Sequence, residues 1–317
     1  MEIKDKYMQN LVTDIVRVVA EFPGKDGIES IILTGSLGRD EGTFHFNENG
    51  EFILDSDVEI ALVYKKGCKK QAATLKEILI NKFKEEMNPM TISISRVNNK
   101  YNFNYSIIKP KYSSIFMYDL YNGSKIIWGT DLIKNCTVKY DKYEAKRIVA
   151  NRIGELMYLK HIEKAGSKQN TQWECKLLLA IGTAYCIIND KYNTKYSEQY
   201  NIIYNTGDAL GDTFIADYTQ AYEYLRLGKD EYNVPYERLH QYVGRINNMF
   251  IGDLYSKPRI NSMSRKLKYI ISCIKHGKGL NPFNCEVTIL DGLITSFINR
   301  DNDKITEYSN YWKYILY

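Results

Sequence analysis

Two stretches of this 317-residue chain carry side chains suited to phosphate and divalent-metal chemistry. The first is a glycine-rich, hydroxyl-bearing turn, Thr34-Gly35-Ser36-Leu37-Gly38-Arg39-Asp40-Glu41-Gly42. The second, Asp55-Ser56-Asp57-Val58-Glu59-Ile60-Ala61-Leu62-Val63, sets two carboxylates at i and i+2 on an apolar run. Side chains two apart on a strand share a face, about 7 Å apart at the backbone, so Asp57 and Glu59 can converge on one cation while Val58, Ile60 and Leu62 face a core. Mg²⁺ takes hard carboxylate oxygens, keeps several waters and is shared with substrate phosphates. Gly35 lets the backbone come close to a phosphate, Ser36 offers a hydroxyl donor, and the amides of a following helix would add their dipoles. Arg39 either orients this turn or pairs with Asp55, which is itself an accessory ligand or a strand cap. Each motif alone has a plain alternative, alternating acids on a solvated sheet face or an ordinary β-turn; the combination is what points to phosphate and divalent-metal chemistry.

The elements that must position these residues are readable from periodicity. Residues 4 to 22 place Tyr7, Leu11, Ile15, Val18, Val19 and Phe22 at helical spacing before Pro23-Gly24 breaks the pattern. Residues 30 to 34 form a short β-branched run that delivers the Gly35-Ser36 turn, and residues 58 to 64 form the strand bearing the acids. Residues 69 to 87 read as a helix with Ala72, Leu75, Ile78, Leu79 and Phe83 on its apolar side, and residues 90 to 97 alternate with period two. The polar excursion between turn and acids, residues 44 to 54, reads as an inserted hairpin around Asn49-Gly50, and Asn122-Gly123 marks a hairpin turn or a helix-to-strand joint. Beyond residue 144 the spacing is helical, with candidate helices at 145 to 159, 173 to 188, 212 to 227, 234 to 249 and 263 to 275, and Gly154 and Gly182 as internal weak points. The expectation is an α+β chain: a mixed sheet with flanking helices over residues 1–140, followed by an all-α helical bundle over residues 141–317.

The pairing of Gly35-Ser36 with Asp57-Val58-Glu59-Ile60 resembles the nucleotidyltransferase superfamily that includes DNA polymerase β and the aminoglycoside nucleotidyltransferases, whose pattern is a Gly-Ser turn followed by an hDhDh strand. The stretch from Gly35 to Gly42 is also similar to the G-[GS]-x-x-R-x-E-G variant of bacterial members, some associated with surface polysaccharide synthesis. Ile126-Ile127-Trp128-Gly129-Thr130-Asp131, Asn151-Arg152-Ile153, the helix start at Lys176 and the Tyr192 to Glu198 stretch extend the resemblance over residues 30 to 200. It implies a transferase that moves a nucleoside monophosphate from an NTP co-substrate to an acceptor hydroxyl on a small molecule or surface-glycan precursor, releasing pyrophosphate. It implies Mg²⁺ at Asp57 and Glu59, with two ions expected; Gly35, Ser36, Arg39 and Lys176 on the nucleotide; and Glu155 or Glu174 as the base of a two-acid variant. The plain alternatives are surface or capping roles for the glutamates and a snorkelling lysine at 176. The strand on which many members carry a third carboxylate offers Ser93 and Ser95 here.

Composition excludes several classes. Charged residues at 26% and hydrophobic ones at 44% leave no case for disorder. No apolar run reaches the roughly 18 residues of a membrane helix, and the N-terminus leads into an amphipathic pattern, so a cytoplasmic protein without a membrane partner is expected. Six cysteines, at 68, 136, 175, 186, 273 and 285, and four histidines, at 45, 161, 240 and 276, show no short ligand spacing, so reduced structural thiols are expected and zinc is not. Seven basic residues and no acid between 257 and 278 make either a solvated face or an anion-attracting wall. Two other functions remain open: a catalytically weakened member that binds nucleotide or protein, and a nucleic-acid-modifying transferase.

Overall fold

The computed structural model describes residues 2–46, 50, 52–54, 56–86, 92–98, 111–133, 138–162, 168–229, 231–252, 255, 271, 274 and 285–316. The fold is mixed α+β and mostly helical. The chain divides into two compact units, Met1–Lys139 and Tyr140–Tyr317.

The first unit is organised by α1 (Glu2–Glu21), β1 (Ile28–Thr34), α2 (Gly35–Gly38), β2 (Phe44–Phe46), β3 (Phe52–Leu54), β4 (Val58–Tyr64), α3 (Lys69–Glu86), β5 (Ile92–Asn98), β6 (Lys111–Ser113), α4 (Ile115–Asn122) and β7 (Lys125–Gly129). Four strands make one sheet in the order β5-β4-β1-β7. β1 runs antiparallel to β4 and β7, whereas β4 and β5 are parallel, a pairing that needs a crossover and obtains it from α3. The central strands are apolar on both faces. Ile31, Leu33, Val58, Ile60 and Leu62 join Leu11, Ile15 and Val19 of α1 and Leu75, Leu79 and Phe83 of α3 in one core. Ile32, Ala61 and Val63 form the other with Leu120 of α4. Glu59 shares the Ala61 and Val63 face of its strand but is exposed. The helical stripe of α3 is narrower than expected, because Ile78 is 40% exposed while Ile80 packs on the core.

The polar excursion forms the expected hairpin, with Phe44 opposite Leu54 and Phe46 opposite Phe52. Phe44 and Phe52 stack with centroids 4.8 Å apart, and Tyr7 of α1 meets both rings edge-on. Asn122-Gly123 is a helix-to-strand joint: the Gly123 N–H donates to the Asp119 carbonyl at 2.8 Å, closing α4 before β7 begins. The Ser114 hydroxyl caps the other end by accepting from the Met117 N–H at 3.3 Å.

Beyond Tyr140, the described residues form α5 (Tyr143–Ile162), α6 (Lys168–Ile188), α7 (Tyr196–Thr206), α8 (Phe214–Arg226), α9 (Tyr236–Asn248), α10 (Cys285–Ile298) and α11 (Asn302–Leu316), with one 3₁₀ turn at Gly207–Leu210. α6 is buried all round from Leu177 to Ile187, as the centre of a helical core requires. Gly182 does not interrupt it. A methyl group there would stand 2.3 Å from the Tyr218 ring, so the glycine is the space into which α8 seats that ring. Asp217, 1% exposed, accepts from Arg238 Nη1 at 2.9 Å and from the Tyr242 hydroxyl at 2.5 Å, tying α8 to α9. Lys142 Nζ donates to the Ile188 carbonyl at 3.0 Å and to Asp190 at 2.6 Å, satisfying the end of α6. Cys68, Cys175 and Cys186 are free thiols. The basic residues between 257 and 278 lie outside the described residues, as does most of the helix expected at 263 to 275. Among the described residues, no helix is long and apolar enough to cross a membrane.

Candidate functional site

The site grows out of the end of the β1–β4 ladder. The last pair sets Thr34 opposite Glu59, and the Thr34 hydroxyl donates to the Glu59 carbonyl at 3.2 Å. One residue later the chain turns at Gly35 with φ +63°, the left-handed region that glycine enters without a Cβ penalty. A Cβ at that position would lie 1.6 Å from Glu59 Oε2 and 2.6 Å from its Cδ. The carboxylate of Glu59 therefore rests directly against the bare α-carbon of the Gly-Ser bend. Two independent constraints, backbone conformation and the neighbouring acid, make this residue glycine.

Hydrogen bonds close the turn behind it. The Arg39 N–H donates to the Gly35 carbonyl at 3.2 Å and the Glu41 N–H to the Ser36 carbonyl at 2.8 Å. Gly38 is required by close approach, since a Cβ would sit 2.5 Å from the Leu33 carbonyl oxygen. Asp40, at φ +65°, pairs with Lys125 of β7. Arg39 is buried, with Nε 3.6 Å from Glu41 Oε2. It braces the turn through Glu41; Asp55, the partner considered from the sequence, lies outside the described residues. Ser36 is half-buried in the first turn of α2.

Asp57 and Glu59 are exposed and Val58 between them is 1% exposed, whereas every residue from Ile60 to Tyr64 is buried. An exposed-buried-exposed triplet at the head of an otherwise buried strand offers two carboxylates at a sheet end. β5 runs alongside with Ser93 in register with Glu59 and Ser95 with Ala61, and no residue of Ile92–Asn98 is acidic. Among the described residues, no three His, Cys, Asp or Glu side chains are grouped to hold a metal ion. The two carboxylates at this strand end are hard donors of the kind Mg²⁺ takes, an ion that fills its remaining positions with water and phosphate oxygens.

Three expected site residues belong to the second unit. Glu155, on α5, is 9% exposed, so it is neither a surface nor a capping residue; it pairs with Arg152 and accepts from Asn151 Nδ2 at 3.4 Å. Glu174, half-buried on α6, stands close enough to Tyr236 of α9 that its charge, after burial, pushes that phenol's pKa up. Lys176 holds its ammonium 4.0 Å from the Trp173 ring centroid, one helical turn away, and the Arg152 guanidinium is 6.0 Å from the same ring. Arg152 thereby links Glu155 to the aromatic that carries Lys176. Sequence reasoning missed Trp173 in this role, although its i, i+3 spacing to Lys176 was a usable signal. It also missed Thr34, Thr43 and Ser56, small hydroxyl residues with no distinctive spacing.

No family model and no curated protein matches the chain.

Proposed function

We propose that the chain is a metal-dependent nucleotidyltransferase that moves a nucleoside monophosphate from an NTP to a hydroxyl of a small molecule or glycan precursor. The observation that carries this reading is the Glu59 carboxylate lying against Gly35, with Asp57 two residues before it at the same strand end. Asp57 and Glu59 would hold the cation, while the bare Gly35 backbone and the Ser36 hydroxyl receive the triphosphate. Bound there, Mg²⁺ supplies neutralisation of the charge that gathers on the leaving pyrophosphate. The acceptor oxygen forms a bond to the α-phosphorus as the bond from that phosphorus to the bridging oxygen breaks. The hydroxyl proton passes to a general base. A mixed sheet followed by a helical unit agrees with the fold that the resemblance implies.

A second reading, a catalytically weakened member that binds nucleotide, is favoured by one feature: the residue in register with Glu59 on β5 is Ser93. The two readings separate in one assay. NTP- and Mg²⁺-dependent pyrophosphate release across an acceptor panel, abolished by Asp57→Ala and by Glu59→Ala, supports the transferase. Concentration-dependent stabilisation by an NTP without turnover supports the binding protein.

A further inference from the structure

The two acids are held in different ways. Glu59 lies within the ladder, opposite Thr34, and its carbonyl accepts from the Thr34 hydroxyl. Asp57 precedes the strand, which begins at Val58, and ends the excursion that leaves the phosphate turn at Gly42. At the neck of that excursion two hydroxyl residues meet. The Thr43 N–H donates to Ser56 Oγ at 2.9 Å, and the hydroxyls of Thr43 and Ser56 are 3.0 Å apart. Ser56 is 8% exposed, so water competes little for these bonds. Thr43 follows the last glycine of the turn and Ser56 immediately precedes Asp57, so the pair closes the loop where it joins both halves of the site. The hairpin beyond it has three-residue strands among the described residues.

We infer that Ser56, with Thr43 as its partner, is a positioning residue that holds Asp57 beside the phosphate turn so that it and Glu59 can bind one divalent cation. The inference rests on the metal-dependent reading given under the proposed function. Ser56 acts through the backbone it shares with Asp57, and its hydroxyl is committed to Thr43.

The test uses Mn²⁺ alone as the probe, with binding followed by electron paramagnetic resonance on the full chain. Wild type is compared with Ser56→Ala, Ser56→Thr, Thr43→Val and Glu59→Gln. Ser56→Ala is expected to weaken Mn²⁺ binding about tenfold, the lower end of the loss seen when groups that orient metal ligands are removed. The same variant should lower kcat for pyrophosphate release more than it changes KM for the NTP, and Ser56→Thr should restore both. A clamp that merely stabilises the hairpin would lower the thermal midpoint and leave Mn²⁺ affinity unchanged. That result, or a Ser56→Thr as impaired as the alanine variant, overturns the inference and leaves the roles of Asp57 and Glu59 standing. A wild-type chain that binds no Mn²⁺ overturns both. If Ser56→Ala does not fold, Thr43→Val, which retains the N–H bond, decides: a smaller loss of affinity supports the inference and an unchanged affinity refutes it.

Discussion

Replacing Gly35 with alanine separates the two reasons for a glycine at the bend. At φ +63° an alanine costs about 1–2 kcal/mol. The reduced freedom of the unfolded chain returns roughly 0.4–1 kcal/mol. The net loss is therefore near 1 kcal/mol, or about 4 °C in Tm for a unit of this size. The effect on the site is larger. The new methyl carbon would lie 1.6 Å from Glu59 Oε2. An ordinary separation is about 3.5 Å, so the carboxylate must retreat by roughly 2 Å. A flexible side-chain end makes that move at little cost in stability, yet a displacement of about 1 Å at a reacting centre can cost 10²-fold in rate. Gly35→Ala should thus lose at least about 10²-fold in kcat/KM for pyrophosphate release while its Tm falls by only a few degrees. Gly67→Ala is the matched control, because Gly67 has φ +88° and nothing within 4 Å of the added methyl. It should show a similar Tm shift with unchanged turnover. A Gly35→Ala protein that retains turnover within a few-fold would refute the placement of Glu59 as a working ligand at the bend.

Further outcomes follow from the helical unit. Burial pushes the Cys186 thiol up from 9.0 to about 12. Burial and then the hydrogen bond to Asp217 push the Tyr242 phenol from 10.0 to about 12. Both groups keep their protons in the folded chain and lose them sooner when it unfolds, so their contribution is complete below pH 9 and is lost as pH rises towards 12. Urea unfolding should weaken by about 1.4 kcal/mol per pH unit per group in that window, less steeply in Cys186→Ala; a flat profile from pH 9 to 11.5 would contradict the assignment. Gly182→Ala gains about 1 kcal/mol in helix propensity but drives a methyl to 2.3 Å from the buried Tyr218 ring. Overpacking of about 1–3 kcal/mol should win, and calorimetry showing net stabilisation would reverse that judgement. Asp217→Ala removes the acceptor of the buried Tyr242 hydroxyl and should cost about 1–3 kcal/mol, read from the urea midpoint.

Much of the first unit was legible because its signals are local. The alternation of Val58, Ile60 and Leu62 and the run ahead of Gly35 both report strands, and the structure adds only that Ala61 and Val63 are covered on the second face. The inserted hairpin was equally readable, since Asn49-Gly50 sits between the short apolar segments at 44–46 and 52–54. Other features depend on tertiary partners. α7, α10 and α11 were not anticipated; in α10, β-branched residues and Gly292 argue against a helix, but Gly292 admits the Tyr308 ring of α11, and that packing overrides local propensity. Arg39 could be read as pointing to a phosphate because its spacing from the turn does not say which way the side chain goes. The structure buries it with Nε 3.6 Å from Glu41 Oε2, two residues on. The pairing of Glu155 with Arg152 was available in their i, i+3 spacing. The closeness of Glu59 to Gly35 was not, because it depends on which residues of β1 and β4 end opposite one another.

The binding of one divalent cation by Asp57 and Glu59 together is tested most directly by anomalous diffraction from crystals of the full chain grown with Mn²⁺. Density is expected at the head of β4, beside Gly35, with oxygens of both acids about 2.1 Å from the ion. Side chains directed apart, or Mn²⁺ bound only elsewhere on the chain, would contradict it.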